Sequence, residues 1–275
     1  MFIETSIQIK RLLSREWMPL VNNQLIDQEC VTSTYVWMEF KRTILQDMEC
    51  LSHIVKSKTV EQVPVHNVEV LEWIVQAGQQ FSKRRVDRIL TIYSAIMRNL
   101  CAFQVERNEL LGYLAVIRRS VTEGFFRSPS RTGTGKTVSC VNETACDLAS
   151  TNVEPENLLT KRMSCRGTEA CCKLATFCQG KSSALKEMVQ RLRSALYDPG
   201  VSQNDRGIYA KIISVYDGLI DDSGQCDFQK LLGEKKCWRF GDVIIAIEAS
   251  EFLPIFSVDK IFRILHAGEC MDIRS

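Results

Sequence analysis

The sequence predicts an α/β protein in which both ends of the chain build one parallel sheet and a large, mostly helical insertion separates them. Three observations predict it. Short apolar or β-branched runs at residues 1–3, 31–34 and 255–258 are too brief for helices and read as buried strands. Each is followed by a segment with apolar residues at helical spacing. The acids Glu4, Glu39, Asp242 and Asp259 all fall at strand ends or in early turns of following helices. In an open parallel sheet those positions share the carboxyl edge, where ligands bind.

In chain order, Met1-Phe2-Ile3 runs as a strand into Glu4-Thr5-Ser6, and Ile7, Ile9, Leu12 and Leu13 continue as a helix face. Val31-Thr32-Ser33-Thr34 is a second strand, followed by a helix from Tyr35 that carries Glu39 in its second turn. A polar stretch closed by Pro64 ends that region. Asn67 then caps a helix with Val68, Val70, Leu71, Ile74 and Val75 inward. Ser82 caps the next, where Val86, Ile89, Leu90, Tyr93, Ile96, Met97 and Leu100 recur at helical spacing. A third helix over 106–122 turns Leu110, Leu111, Leu114 and Ile117 inward. Beyond the cysteine-rich stretch, Ala184, Met188, Leu192 and Leu196 mark a helix ended by Asp198-Pro199-Gly200, and Ile208, Ile212, Ile213, Val215, Tyr216 and Leu219 mark the next. Asp217, Asp221 and Asp222 lack the register of a calcium loop and read as a polar turn.

The closing stretch is the most informative. Residues 239–249 form a helix with Asp242 in its opening turn, where a carboxylate faces free N–H groups and the positive end of the dipole. Pro254 opens the run Ile255-Phe256-Ser257-Val258, which ends on Asp259 before a short helix over 260–266. Taken together, FIETSIQIKRLL, VTSTYVWMEFKRTIL, RFGDVIIAIEA and LPIFSVDKIFRIL resemble, in the same order, the four acidic motifs of the PIN-domain nucleases. The resemblance covers residues 1–50 and 238–275. It implies a PIN-like parallel sheet flanked by helices, and a ribonuclease that hydrolyses RNA phosphodiester bonds at a four-acid Mg²⁺ or Mn²⁺ site. Glu4, Glu39, Asp242 and Asp259 match the four acids in turn, with Glu4, Asp242 and Asp259 as metal ligands. Ser6 and Ser257 match the small polar residues that support them. The family's first acid is normally Asp, so Glu4 is longer by one methylene. The alternative is a PIN-like module that binds RNA or protein without cleaving it.

The chain then divides into a first PIN-like part at 1–55, a helical insertion at 56–127, a cysteine-rich insertion at 128–181, a helical return at 182–236 and a second PIN-like part at 237–275. In the helical insertion, Lys83, Arg84 and Arg85 offer cations for RNA phosphates, or else form an ordinary solvated face. Gly135-Lys136-Thr137 ends like a phosphate-binding loop, but Ser130 stands where the first glycine is required and no apolar strand precedes it. Six of the twelve cysteines fall in the next stretch as Cys140-x5-Cys146, Cys165-x5-Cys171 and Cys172-x5-Cys178, and the segments around the first two pairs echo one another. Three readings stand: thiolate ligands for Zn²⁺ or an iron–sulfur cluster, reduced surface thiols, or regulated disulfides. Cys226 and Cys237 read as packing residues.

Composition bounds the rest. A net charge of +2 gives no global field to draw nucleic acid or membrane, so any such surface must be local. No stretch approaches the apolar length of a membrane span and no signal-like leader opens the chain, so the sequence reads as cytoplasmic, with cysteines as thiols or ligands rather than disulfides. RNA is the expected partner, with a protein inhibitor or a second copy as further ones.

Overall fold

The computed structural model describes residues 1–58, 64–80, 82–100, 104–130, 135–150, 172–267 and 270–272. Strand β1 (Phe2–Ile3) leads through Glu4 into α1 (Thr5–Leu13), and α2 (Trp17–Leu25) turns the chain back. The sequence reading assigned nothing to α2. Strand β2 (Val31–Ser33) ends on Ser33, whose hydroxyl accepts from the Val36 amide at 3.1 Å and so caps α3 (Thr34–Phe40). One π-helical turn (Lys41–Leu45) joins α3 to α4 (Gln46–Lys58). The insertion then contributes β3 (Pro64–His66), α5 (Asn67–Ala77), α6 (Lys83–Leu100), β4 (Gln104–Glu106) and α7 (Arg107–Phe125), with β3 and β4 antiparallel.

A strand lies where the sequence reading had only a cysteine loop. It is β5 (Ser139–Val141), followed by the short α8 (Asp147–Ser150). Helices α9 (Leu174–Gly180), α10 (Ser182–Ala195), α11 (Gln203–Asp217) and α12 (Glu234–Arg239) return the chain to α13 (Gly241–Ala249), β6 (Ile255–Phe256), α14 (Ile261–Leu265) and β7 (Cys270–Met271). Asp221 closes its own turn by accepting from the amides of Ser223 and Gln225, as a polar turn should.

The fold is therefore α/β: mostly helical, with a small five-stranded sheet in the order β5-β2-β1-β6-β7, every pairing parallel. The two chain ends meet at its centre, where Phe2 pairs with Ile255 and Ile3 with Phe256. Both faces of this pair are covered, as parallel strands require. Alternation sends Phe2 and Ile255 to the large core shared with the helical insertion, while Ile3 and Phe256 pack with Ile7, Val21, Leu25 and Val138 on the other side. That second layer is what α2 supplies.

In the insertion, α6 buries Ile89, Ile92, Tyr93 and Ile96 at the spacing its sequence predicts. Helix α5 departs from the reading. It packs on α4 and α6 through Val70 and Ile74, leaving Val68 and Val75 at 64% and 56% exposed. Ile208, read as inward, is likewise exposed. Between α4 and its neighbours lies an ionic seam, buried at Asp47 and Arg85 and open at Arg118. Asp47, 1% exposed, meets Arg85 at 2.8 Å and Arg88, and Glu49 meets Arg118 from α7. No described helix is long and apolar enough to cross a membrane.

Candidate active site at the carboxyl edge of the sheet

Strand order reverses between β1 and β6: from β1 the chain builds outward to β2 and β5 on one side, and later to β6 and β7 on the other. Side chains following these two strands face the crevice where open α/β sheets bind ligands. Glu4 follows β1, and Ser257 and Asp259 follow β6.

Glu4 folds back to cap α1, accepting from the Ser6 amide at 2.6 Å, the Ile7 amide at 3.3 Å and the Ser6 hydroxyl. It is 2% exposed, and burial, then the charge of Asp259, push its pKa up to about 8 against the hydrogen bonds of Ser6 and Ser257. Ser257, itself fully buried, accepts from the Asp259 amide at 2.9 Å and bonds to Glu4. One hydroxyl thus ties the two acids together, and the pair runs from a buried end at Glu4 to an exposed end at Asp259.

Glu39 reaches the same edge by another route: its Oε2 accepts from the hydroxyl of Thr5, the residue next to Glu4. The sequence reading passed over Thr5, although its place beside the first acid was visible. Asp242 lies half-buried in the first turn of α13, which packs on α3 and β2. The turn approaches closely: a Cβ on Gly241 would lie 3.3 Å from the Tyr35 hydroxyl, one helical turn before Glu39. Among the described residues no three His, Cys, Asp or Glu side chains converge to hold a metal ion. The arrangement is a coupled acid pair, Glu4 and Asp259, with Glu39 attached through Thr5.

The basic and thiol residues fall elsewhere. Arg85 was expected as a phosphate contact, but it is 4% exposed and its guanidinium is held by Asp47 inside the insertion. Helix amphipathicity explains this burial: Arg85 lies four residues before Ile89, on the inward stripe of α6. Lys83 is exposed, and the Arg84 side chain lies outside the described residues. Cys165 and Cys171 also lie outside them. Cys140, Cys146 and Cys172 line a cavity of about 500 Å³ with Thr34 and Trp37, and its lining includes neither Glu4 nor Asp259. Cys178 is buried, with its thiol pKa raised by desolvation. Cys237, read as packing, meets the Tyr35 hydroxyl at 3.4 Å and lines a smaller cavity with Cys146 and Cys172.

A further buried acid escaped the sequence reading, although it is the lone charge in the apolar run Val243–Ala249. Glu248 is 3% exposed; it accepts from Thr144 at 3.1 Å and from Ser33, while its Oε2 has no hydrogen-bond partner among the described residues. Burial raises its pKa to about 7 from 4.5. Between these values the unfolded chain ionises this group and the folded chain does not, so stability falls as pH rises through that window and levels off above it. Glu248→Gln keeps an acceptor for Thr144 and removes the ionisation. Urea titrations should find the variant more stable than wild type by about 3 kcal/mol at pH 8 and nearly equal at pH 4.5. An unchanged pH slope would assign it to other groups.

No family model, no curated protein and no solved structure matches this chain.

Proposed function

We propose that the protein is a PIN-like, Mg²⁺- or Mn²⁺-dependent ribonuclease. The observation that carries this reading is the coupling of Glu4 and Asp259 across the point where the strand order reverses, joined by the Ser257 hydroxyl. Two hard carboxylates suit Mg²⁺, which keeps several waters and is usually held by one or two carboxylates together with substrate phosphates. A cation there would also offset the mutual repulsion of the pair. Glu4 and Asp259 would be its ligands, and bound there it would lower the pKa of a water and neutralise charge on the scissile phosphate. Ser257 bonds to Glu4 and holds the backbone that carries Asp259, and Ser6 holds the Glu4 carboxylate in its buried orientation. Thr5 holds Glu39, which would complete the acid cluster or orient a water. Asp242 lies in the first turn of α13 and would face the pair as a further acid.

One observation favours a second reading, a PIN-like module that binds RNA or protein without cleavage: both oxygens of Glu4 already serve as the cap of α1. Incubating the purified chain with single-stranded RNA, with Mn²⁺ and then with EDTA, separates the two. Cleavage that EDTA abolishes supports the nuclease. Metal-independent binding without products supports the module.

A further inference from the structure

The segment after β5 and the segment before α9 are locked together by a backbone hydrogen bond, Lys173 N–H to Thr144 carbonyl at 2.8 Å. Cys146 and Cys172 flank this link, and both line the same two cavities. The larger, about 500 Å³, is shared with Trp37, Phe126 and Lys173; the smaller, about 20 Å³, with Tyr35 and Cys237. Both cysteines are half-buried, so a small solute in the larger cavity reaches them, whereas Cys50 and Cys178 are sealed in the core. A cation stands beside one of them. Lys41, from the π-helical turn, donates to the Ala149 carbonyl at 2.8 Å and lies within the electrostatic reach of Cys146. An ammonium next to a partly exposed thiol favours the thiolate, which is the nucleophile.

We infer that Cys146 and Cys172 form a hydroperoxide-oxidisable dithiol, with Cys146 attacking and Cys172 resolving. The Cys146 thiolate attacks a peroxide oxygen; the O–O bond breaks, an S–O bond forms, and the departing hydroxide takes up a proton as water. The Cys172 sulfur then attacks the Cys146 sulfenic acid. The S–O bond breaks, the disulfide forms, and the hydroxyl leaves as water with the Cys172 proton. The dithiol loses two electrons and one hydrogen peroxide becomes two waters. The bond would stiffen the segment bearing α8, whose Ala149 carbonyl accepts from both Trp37 and Lys41, the residues two before and two after Glu39. This inference does not depend on the nuclease reading.

The test uses the full chain, reduced, freed of reductant and exposed to equimolar hydrogen peroxide, then alkylated and digested without reduction for mass spectrometry. The expected product is an intramolecular disulfide that dithiothreitol reverses, present in Cys140→Ser and Cys171→Ser and absent in Cys172→Ser. Lys41→Gln should slow its formation by about threefold or more. A Cys146–Cys237 bond, oxidation confined to Cys140, or a Cys172→Ser chain that still forms an intramolecular disulfide through Cys146 overturns the inference.

Discussion

Asp259→Asn should lower Mn²⁺-dependent RNA cleavage by about two orders of magnitude or more while leaving the fold intact. The side chain is exposed, and what holds its segment is the Asp259 amide bonded to Ser257, which the substitution keeps. Removing the charge also relieves the repulsion that raises the Glu4 pKa, so the metal-free variant should melt no lower than wild type. Loss of cleavage with an unchanged or higher melting temperature therefore reports a lost ligand rather than a damaged fold. Glu4→Asp sharpens the test. It shortens the carboxylate by one methylene, and so withdraws it from the Ile7 amide or from Asp259. A changed rate or metal preference, with activity retained, would mean that the longer acid is tuned for its site. Should wild type and both variants be equally inactive with every divalent ion, the binding-module reading takes over.

Asp47→Asn should cost about 3–5 kcal/mol of stability, the typical penalty when one member of a buried ion pair is removed. In a chain of this size that is roughly a 10 °C drop in melting temperature. Asp47 is the shared acceptor of Arg85 and Arg88, with its side chain 1% exposed and that of Arg85 5% exposed. Without its charge, both guanidiniums lose the carboxylate they share in the low-dielectric seam between α4 and α6. Arg85→Gln should destabilise for the reciprocal reason, and it should leave the salt dependence of any RNA binding unchanged. If that salt slope flattens while the melting temperature holds, Arg85 is a phosphate contact after all.

The misreading of Arg85 shows where local pattern stops. A run of Lys-Arg-Arg looks the same whether solvated or paired; only the position of α4, brought alongside by the tertiary fold, turns Arg85 inward. The strand at Ser139–Val141 was hidden for a similar reason. Ser139, Cys140 and Val141, too short a run to announce itself, become a strand because β2 offers an unpaired edge, and the pairing of Thr32 with Cys140 is invisible along the chain. Thr5 and Glu248 were legible as oddities, a hydroxyl beside the first acid and a charge in an apolar helix, but not as partners of Glu39 and Thr144.

By itself the sequence determined what periodicity and apolar content decide: short buried strands at both ends, helices between them, and acids at the ends of those strands. Those properties depend on neighbours within a few residues, which any window of the chain contains. The tertiary structure alone decided which of these acids come together. The proximity of Glu4 and Asp259 follows from the pairing of Ile3 with Phe256, a contact between opposite ends of the chain. Their shared Ser257, the anchoring of Glu39 by Thr5 and the gathering of Cys146, Cys172 and Cys237 are likewise consequences of packing between distant segments. Burial then gave these groups energies their sequence neighbours do not predict, because desolvation depends on the whole surrounding structure.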